Sequence, residues 1–338
     1  MTRSFDDKPA VRSQVPLLIG LMGPSGGGKT YSALRLASGI QKVTGGDIFM
    51  IDTEARRGLH YADRFKFRHL EFGSPFGPLD YLAAIDHCAK KGAKTIIVDS
   101  MSHEHEGPGG VLEMHEAELQ RLSKGNAQKR DAMNFLAWAK PKADRRRMIN
   151  TILQIPCNFI FCFRAKEKIK IERGKDPEAR GFMPIAGEEF VYEMALNCLL
   201  LPNAGGIPTW NTKQTGERMM IKLPEQFRAT LAANVPLSEE IGSALATWSS
   251  GAALPESPFA KFADAIAAAS TMEALEALLP ELQEIPKKKS LPPAEYKALR
   301  DLYGERGQAL LAAAEAGEPA DESSREPGDD YTDETAAQ

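Results

Sequence analysis

Apolar residues in the first two thirds of the chain come in short dense runs, and stretches of helical period fill the gaps between them. Residues 15–22, 47–52, 95–99 and 158–163 predict buried strands, and 67–72 a weaker one. Helical patterns lie between them at 79–90, 110–122 and 133–153. This alternation predicts an α/β fold: a mainly parallel sheet covered on both faces, with any ligand at the carboxyl ends of its strands. Further along, 194–201, 208–212 and 219–223 read as strands joined by turn residues at 203–206 and 214–216, which predicts an antiparallel extension of the sheet.

Residues 249–258, rich in Ser, Gly, Ala and Pro, break the pattern. After them 259–269, 272–282 and 294–313 predict three helices of a small bundle, with a basic linker over 286–293. The expected organisation is an arm at 1–14, a core at 15–250, a helical domain at 255–314 and a tail at 315–338. No repeat of fixed period interrupts it.

A length of 338 residues fits two folded units better than one core. No stretch approaches the ~20 consecutive apolar residues of a membrane span, and residues 1–14 are too polar for a signal peptide, so a cytoplasmic protein with no membrane partner is expected. The cysteines Cys88, Cys157, Cys162 and Cys198 show no C-x-x-C spacing and read as reduced core residues. The tail from Glu315 carries nine acidic residues and one basic, a net of −8, which leaves +4 on the rest of a chain of net −4. With few large apolar residues such a tail is expected to stay disordered.

The chemistry starts at Gly23-Pro24-Ser25-Gly26-Gly27-Gly28-Lys29-Thr30, a G-x-x-x-x-G-K-T segment directly after the first strand run. Glycines let successive backbone N–H groups turn around an anion, and the helix opening at Tyr31 sets its N-terminus behind the phosphates. In that arrangement Lys29 reaches the β- and γ-phosphates, and Thr30 is a Mg²⁺ ligand. Asp99, ending the apolar run at 95–99, suits a second Mg²⁺ ligand. Ser100 stands where many ATPases carry a glutamate. The candidate base is therefore Glu54, at the end of the strand after the P-loop helix, with Glu104 as the fallback; a solvated loop acid paired with Arg56 or Arg57 is the other reading of Glu54.

On these residues the sequence resembles a known family. Residues 23–30, 51–54, 96–100 and 159–164 resemble the ATPase core of RecA-like recombinases, and 55–63 with 182–194 resemble phage-encoded RecA-like ATPases of single-strand annealing and recombination. The resemblance spans about 15–235. It implies a RecA-like core, ATP and Mg²⁺ as cofactors, Glu54 as catalytic base, and self-assembly into a ring or filament with ATP between subunits and single-stranded DNA in the channel. A single-strand binding protein is a further candidate partner. Two departures stand out: Phe163 and Arg164 replace the glutamine that such recombinases carry as a nucleotide sensor, and no long polymerisation segment precedes the first strand, which favours annealing over strand exchange.

Arg164, Lys166, Lys168, Lys170, Arg173 and Lys175 fall within twelve residues, where RecA-like proteins place a DNA-binding loop, and are the expected DNA contacts. Lys140, Lys142, Arg145, Arg146 and Arg147, with Trp138 nearby, form a second basic cluster. Lys213 and Arg218 stand where RecA-like and ring-helicase cores present a cation to a neighbour's ATP, which makes either a candidate finger in trans. His103, His105 and His115 lack the spacing of a zinc motif and are expected in a loop past Asp99. The expected function is ATP hydrolysis coupled to single-stranded DNA; a helicase loader, a ring translocase and a nucleotide-gated switch with little hydrolysis remain the alternatives.

Overall fold

A computed structural model of the protein describes residues 15–170, 178–210, 221–228, 230–231, 235–251, 258–288 and 293–315. The chain divides into two compact units, Met1–Ser257 and Pro258–Gln338. In the first, strands β1 (Leu18–Gly23), β2 (Asp47–Asp52), β3 (Arg68–Glu71), β4 (Ala93–Asp99), β5 (Asn158–Lys170), β6 (Glu178–Pro184), β7 (Leu196–Leu200) and β8 (Pro208–Thr209) alternate with helices α1 (Lys29–Thr44), α2 (Pro78–Lys90), α3 (His103–Glu106), α4 (Val111–Ser123), α5 (Ala127–Ala137), α6 (Ala139–Ile152), α7 (Glu188–Tyr192) and α8 (Glu239–Ser249). The sheet order is β3-β2-β4-β5-β1-β7-β8, with β6 paired to β5. The pairs among β1, β2, β3, β4, β5 and β7 are all parallel.

Side chains alternate along each strand between two cores, which is why these runs are continuously apolar. Leu18 and Met22 of β1, Ile96 and Val98 of β4 and Phe159, Phe161 and Phe163 of β5 face one layer, against Tyr81, Ile85 and Cys88 of α2 and Met148 and Ile152 of α6. Ile19, Leu21, Ile97, Ile160 and Cys162 face the other, against Leu34, Leu36 and Ile40 of α1 and Ile241 and Leu245 of α8. Each buried Leu or Ile there contributes roughly 1.5–3 kcal/mol. Gly45, at φ 66°, ends α1 and returns its N–H to the carbonyl of Gln41. All four cysteines are buried in these layers.

The antiparallel extension expected over 194–223 lies partly outside the described residues, at 211–220. β7 runs parallel to β1, because β6 and α7 carry the chain back to the amino-terminal end of the sheet before β7 begins. Beyond β7, among the described residues, which leave out 211–220, the antiparallel additions are β8 and a bridge between Lys222 and Asn197. The helical stretch at 133–153 is two helices divided at Trp138, and β5 continues past its predicted end to Lys170.

The second unit holds α9 (Pro258–Ala268), α10 (Met272–Glu276), α11 (Leu279–Lys288) and α12 (Pro293–Glu315) around Ile266, Leu275, Leu282, Ile285 and Leu299. The single helix expected at 272–282 is split between α10 and α11, and α11 extends to Lys288 through part of the expected linker. Residues 316–338, and with them nearly all of the acidic tail, lie outside the described residues. Among the described residues no helix is long and apolar enough to cross a membrane.

Candidate functional site

At the carboxyl ends of β1, β2, β4 and β5 a cleft of about 480 Å³ opens, a volume that suits a nucleotide-sized ligand. Its floor is the loop Gly23–Thr30. Gly26 and Gly28 adopt φ of 79° and 81°, which residues with a Cβ resist. Gly23 and Gly27 serve a different need: a Cβ would sit 2.2 or 2.4 Å from the Leu200 carbonyl oxygen, so the loop lies directly on β7. Gly28 is the N-cap of α1 and offers no side-chain acceptor, and the first turn of α1 has no acid. The helix therefore turns uncapped N–H groups and its positive dipole end toward the cleft. Nζ of Lys29 donates to the carbonyls of Gly23 and Pro24, both at 2.9 Å.

Thr30 and Asp99 meet across the cleft floor, the hydroxyl donating to Oδ2 at 2.5 Å. Burial pushes the Asp99 carboxyl up to about 6; the Thr30 hydrogen bond opposes the shift, and the nearby Glu54 charge adds to it. Two hard oxygen donors side by side match what Mg²⁺ takes from protein when it keeps waters and phosphate oxygens as its other ligands. Among the described residues no group of three or more His, Cys, Asp or Glu gathers as a cage for a metal ion. His103 contacts Thr53 through Nδ1 at 2.8 Å and stacks on Phe76. His105 lies 2.9 Å from Arg145, and His115 stacks on Trp138.

Glu54 is carried by a tight loop after β2. Asp52 folds that loop, accepting from the N–H of Glu54 at 2.8 Å and from the N–H of Gly58 at 2.8 Å, while Ala55 and Arg56 take positive φ between them. Oε1 of Glu54 is 2.7 Å from Nη2 of Arg164, and Oε2 is 3.1 Å from Nη1 of Arg57. Tyr61 lines the cleft, and its ring lies 5.8 Å from that of Tyr31, which also packs edge-on against Phe65. An aromatic wall of this kind offers a face on which a base can stack.

The structure thus gathers Gly23 to Thr30, Glu54 and Asp99 around one cleft, with Tyr31 in the wall behind it. Two expectations need correction, those for Glu104 and Arg145. Glu104 is buried and bonded through both oxygens to Arg145, at 2.9 and 2.8 Å, so it is not free to act as a base. The same pair removes Arg145 from the second basic cluster, since its guanidinium lies inside the protein. Arg164 turns into the cleft toward Glu54, and Lys166 pairs with Glu106 at 3.0 Å at the cleft edge. Lys168 and Lys170 lie on β5. Arg173, Lys175, Lys213 and Arg218 lie outside the described residues.

Sequence reasoning misses three members of the site. Asp52 has a local signal, because an aspartate two residues before Glu54 can accept that residue's N–H as an Asx turn does. Tyr61 is an aromatic in an otherwise polar segment. Arg164 has no local signal as a partner of Glu54.

The sequence profile of the AAA domain matches residues 16–196, which takes in the P-loop, both acidic strand ends and the start of β7. That is more than half of the chain, and the protein belongs to this family of P-loop AAA-type ATPases. Comparison with curated proteins returns no match.

Proposed function

We propose that this member of the AAA domain family is a Mg²⁺-dependent, RecA-like ATPase that acts on single-stranded DNA in annealing or recombination, assembled as a ring or filament. The observation that carries the ATPase reading is the convergence of Lys29, Thr30, Asp99 and Glu54 on the uncapped N-terminus of α1. In this reading the amides of Gly23 to Gly28 cradle the phosphates and Lys29 contacts the γ-phosphate. Thr30 and Asp99 hold Mg²⁺, which neutralises charge on the phosphates when bound. Glu54 orients or deprotonates the attacking water. Tyr31 and Tyr61 bound the nucleotide at its other end.

The DNA part rests on placement and charge. The β5–β6 pair rises from the rim of the cleft, and the carboxyl-terminal part of β5 carries Lys166, Lys168 and Lys170. A basic strand beside the nucleotide is a way to track a phosphate backbone while sensing the site. Lys213 or Arg218 completes a neighbour's site in this reading, which makes activity depend on assembly.

The test is turnover of ATP with and without single-stranded oligonucleotide, alongside annealing of complementary strands and unwinding of a duplex. Stimulated turnover with annealing supports the reading. Unwinding without annealing favours a translocase, and turnover indifferent to DNA removes the DNA role.

A further inference from the structure

One ion pair stands in the way of the chemistry assigned to Glu54. Its Oε1 accepts from both Nε and Nη2 of Arg164, at 2.8 and 2.7 Å, while Oε2 accepts from Arg57. A carboxylate with both oxygens engaged by guanidinium groups has few lone pairs left for a water.

The two arginines are not equivalent. Arg57 sits three residues along the same loop with its side chain 66 % exposed, so its pair is weak and easily lost. Arg164 arrives from another strand and is fixed at both sides of its backbone. Its N–H donates to Oγ of Ser102 at 2.8 Å, and its carbonyl accepts from the N–H of Ile185 at 2.7 Å. β5 is continuous through it: the strand pairs with β1 and β4 up to this level, and with β6 from Ala165 onward. Arg164 is therefore the residue at which the nucleotide cleft meets the β5–β6 pair.

Resting on the ATPase reading above, we infer that Arg164 is a positioning residue that exchanges partners with nucleotide state. Without a terminal phosphoryl group it clamps the Glu54 carboxylate. A γ-phosphate in the cleft competes for the same guanidinium and releases Glu54 to face water. The preference has a chemical basis, because a phosphoryl group offers more charge and several oxygens to the planar fork that a single carboxylate oxygen now holds. ADP leaves the clamp closed, since it brings no group to that position. The exchange also changes what the first residue of the β5–β6 pair holds, so strand β5 carries the state of the nucleotide to the basic segment.

A double-mutant cycle tests this on the full-length protein. Affinities for Mg²⁺-ATPγS and Mg²⁺-ADP are measured by calorimetry for wild type, Glu54→Gln, Arg164→Ala and the double variant. Removing the competing carboxylate in Glu54→Gln is expected to tighten ATPγS binding about 5- to 10-fold and to leave ADP binding within about twofold. Arg164→Ala is expected to weaken ATPγS about 10-fold with ADP again little changed. The gain from Glu54→Gln should vanish once Arg164 is absent, because the two residues act on one equilibrium. Should the gain persist at full size in the Arg164→Ala background, simple repulsion between Glu54 and phosphate explains it and the clamp is wrong. An equal effect on ADP also overturns it. Arg164→Lys and Arg164→Gln run the same cycle if the alanine variant does not fold. Failure of every protein, wild type included, to bind either nucleotide overturns the ATPase reading and the clamp with it.

Discussion

Asp52 and Asp99 are register partners at the ends of adjacent parallel strands, and the protein uses these two buried carboxylates differently. Asp52 accepts two backbone N–H groups and lies 3.0 Å from Nε2 of His69, and so fixes the loop that carries Glu54. Asp99 accepts the Thr30 hydroxyl, and burial pushes it up to about 6. One acid is spent on structure; the other keeps oxygen for a ligand.

The raised Asp99 value sets a pH dependence. Its folded-state value lies above the ordinary 3.8, so the folded protein binds the extra proton between about 4 and 6. Carrying the charge costs stability in full above about pH 6, and the cost fades as pH falls through that window. Asp99→Asn is therefore expected to raise the stability of the nucleotide-free protein at pH 8 by roughly 1–3 kcal/mol, with the gain shrinking toward nil near pH 4. Chemical denaturation at several pH values measures it. The same proton competes with Mg²⁺, so Mg²⁺-dependent nucleotide affinity should weaken below about pH 6 in the wild type.

Asp52→Ala should release the Glu54 loop. It strands two buried N–H groups, at a cost of about 1–3 kcal/mol each. Turnover is expected to fall by one to two orders of magnitude while nucleotide affinity changes less, as steady-state kinetics beside calorimetry would show. Turnover equal to wild type would mean that the loop holds its shape without this carboxylate.

The P-loop helix is held by close packing against α8. A Cβ on Gly39 would lie 1.9 Å from the Glu239 carbonyl oxygen, and one on Gly242 would lie 2.2 Å from that of Leu36. Arg35 reinforces the contact through Glu239 at 2.7 Å. Gly39→Ala is expected to destabilise the protein by about 2–4 kcal/mol, because backbone must move to admit the methyl. Since α1 begins at Lys29, nucleotide affinity should drop with it; denaturant midpoints and nucleotide titration report the two effects separately.

Much of the core is legible in the sequence because its signals are local. The glycines before Lys29 and the apolar runs ending at Asp52 and Asp99 each depend on neighbours in the chain. What escapes is pairing across the fold. Arg164 reads as one cation among six in a basic stretch, and its partner Glu54 lies 110 residues away. Arg145 reads as part of an exposed run, yet of the basic residues on α6 it alone is buried, facing Glu104. The parallel direction of β7 is hidden for a related reason, since it depends on where β6 and the short α7 leave the chain.

The most direct measurement is calorimetric titration of the full-length protein and of Lys29→Ala with ATP in the presence of Mg²⁺. Saturable binding to the wild type is expected, with a loss of roughly 10- to 100-fold in affinity when the ammonium is removed. Absence of binding to the wild type, or equal binding by the two proteins, would contradict the ATPase reading.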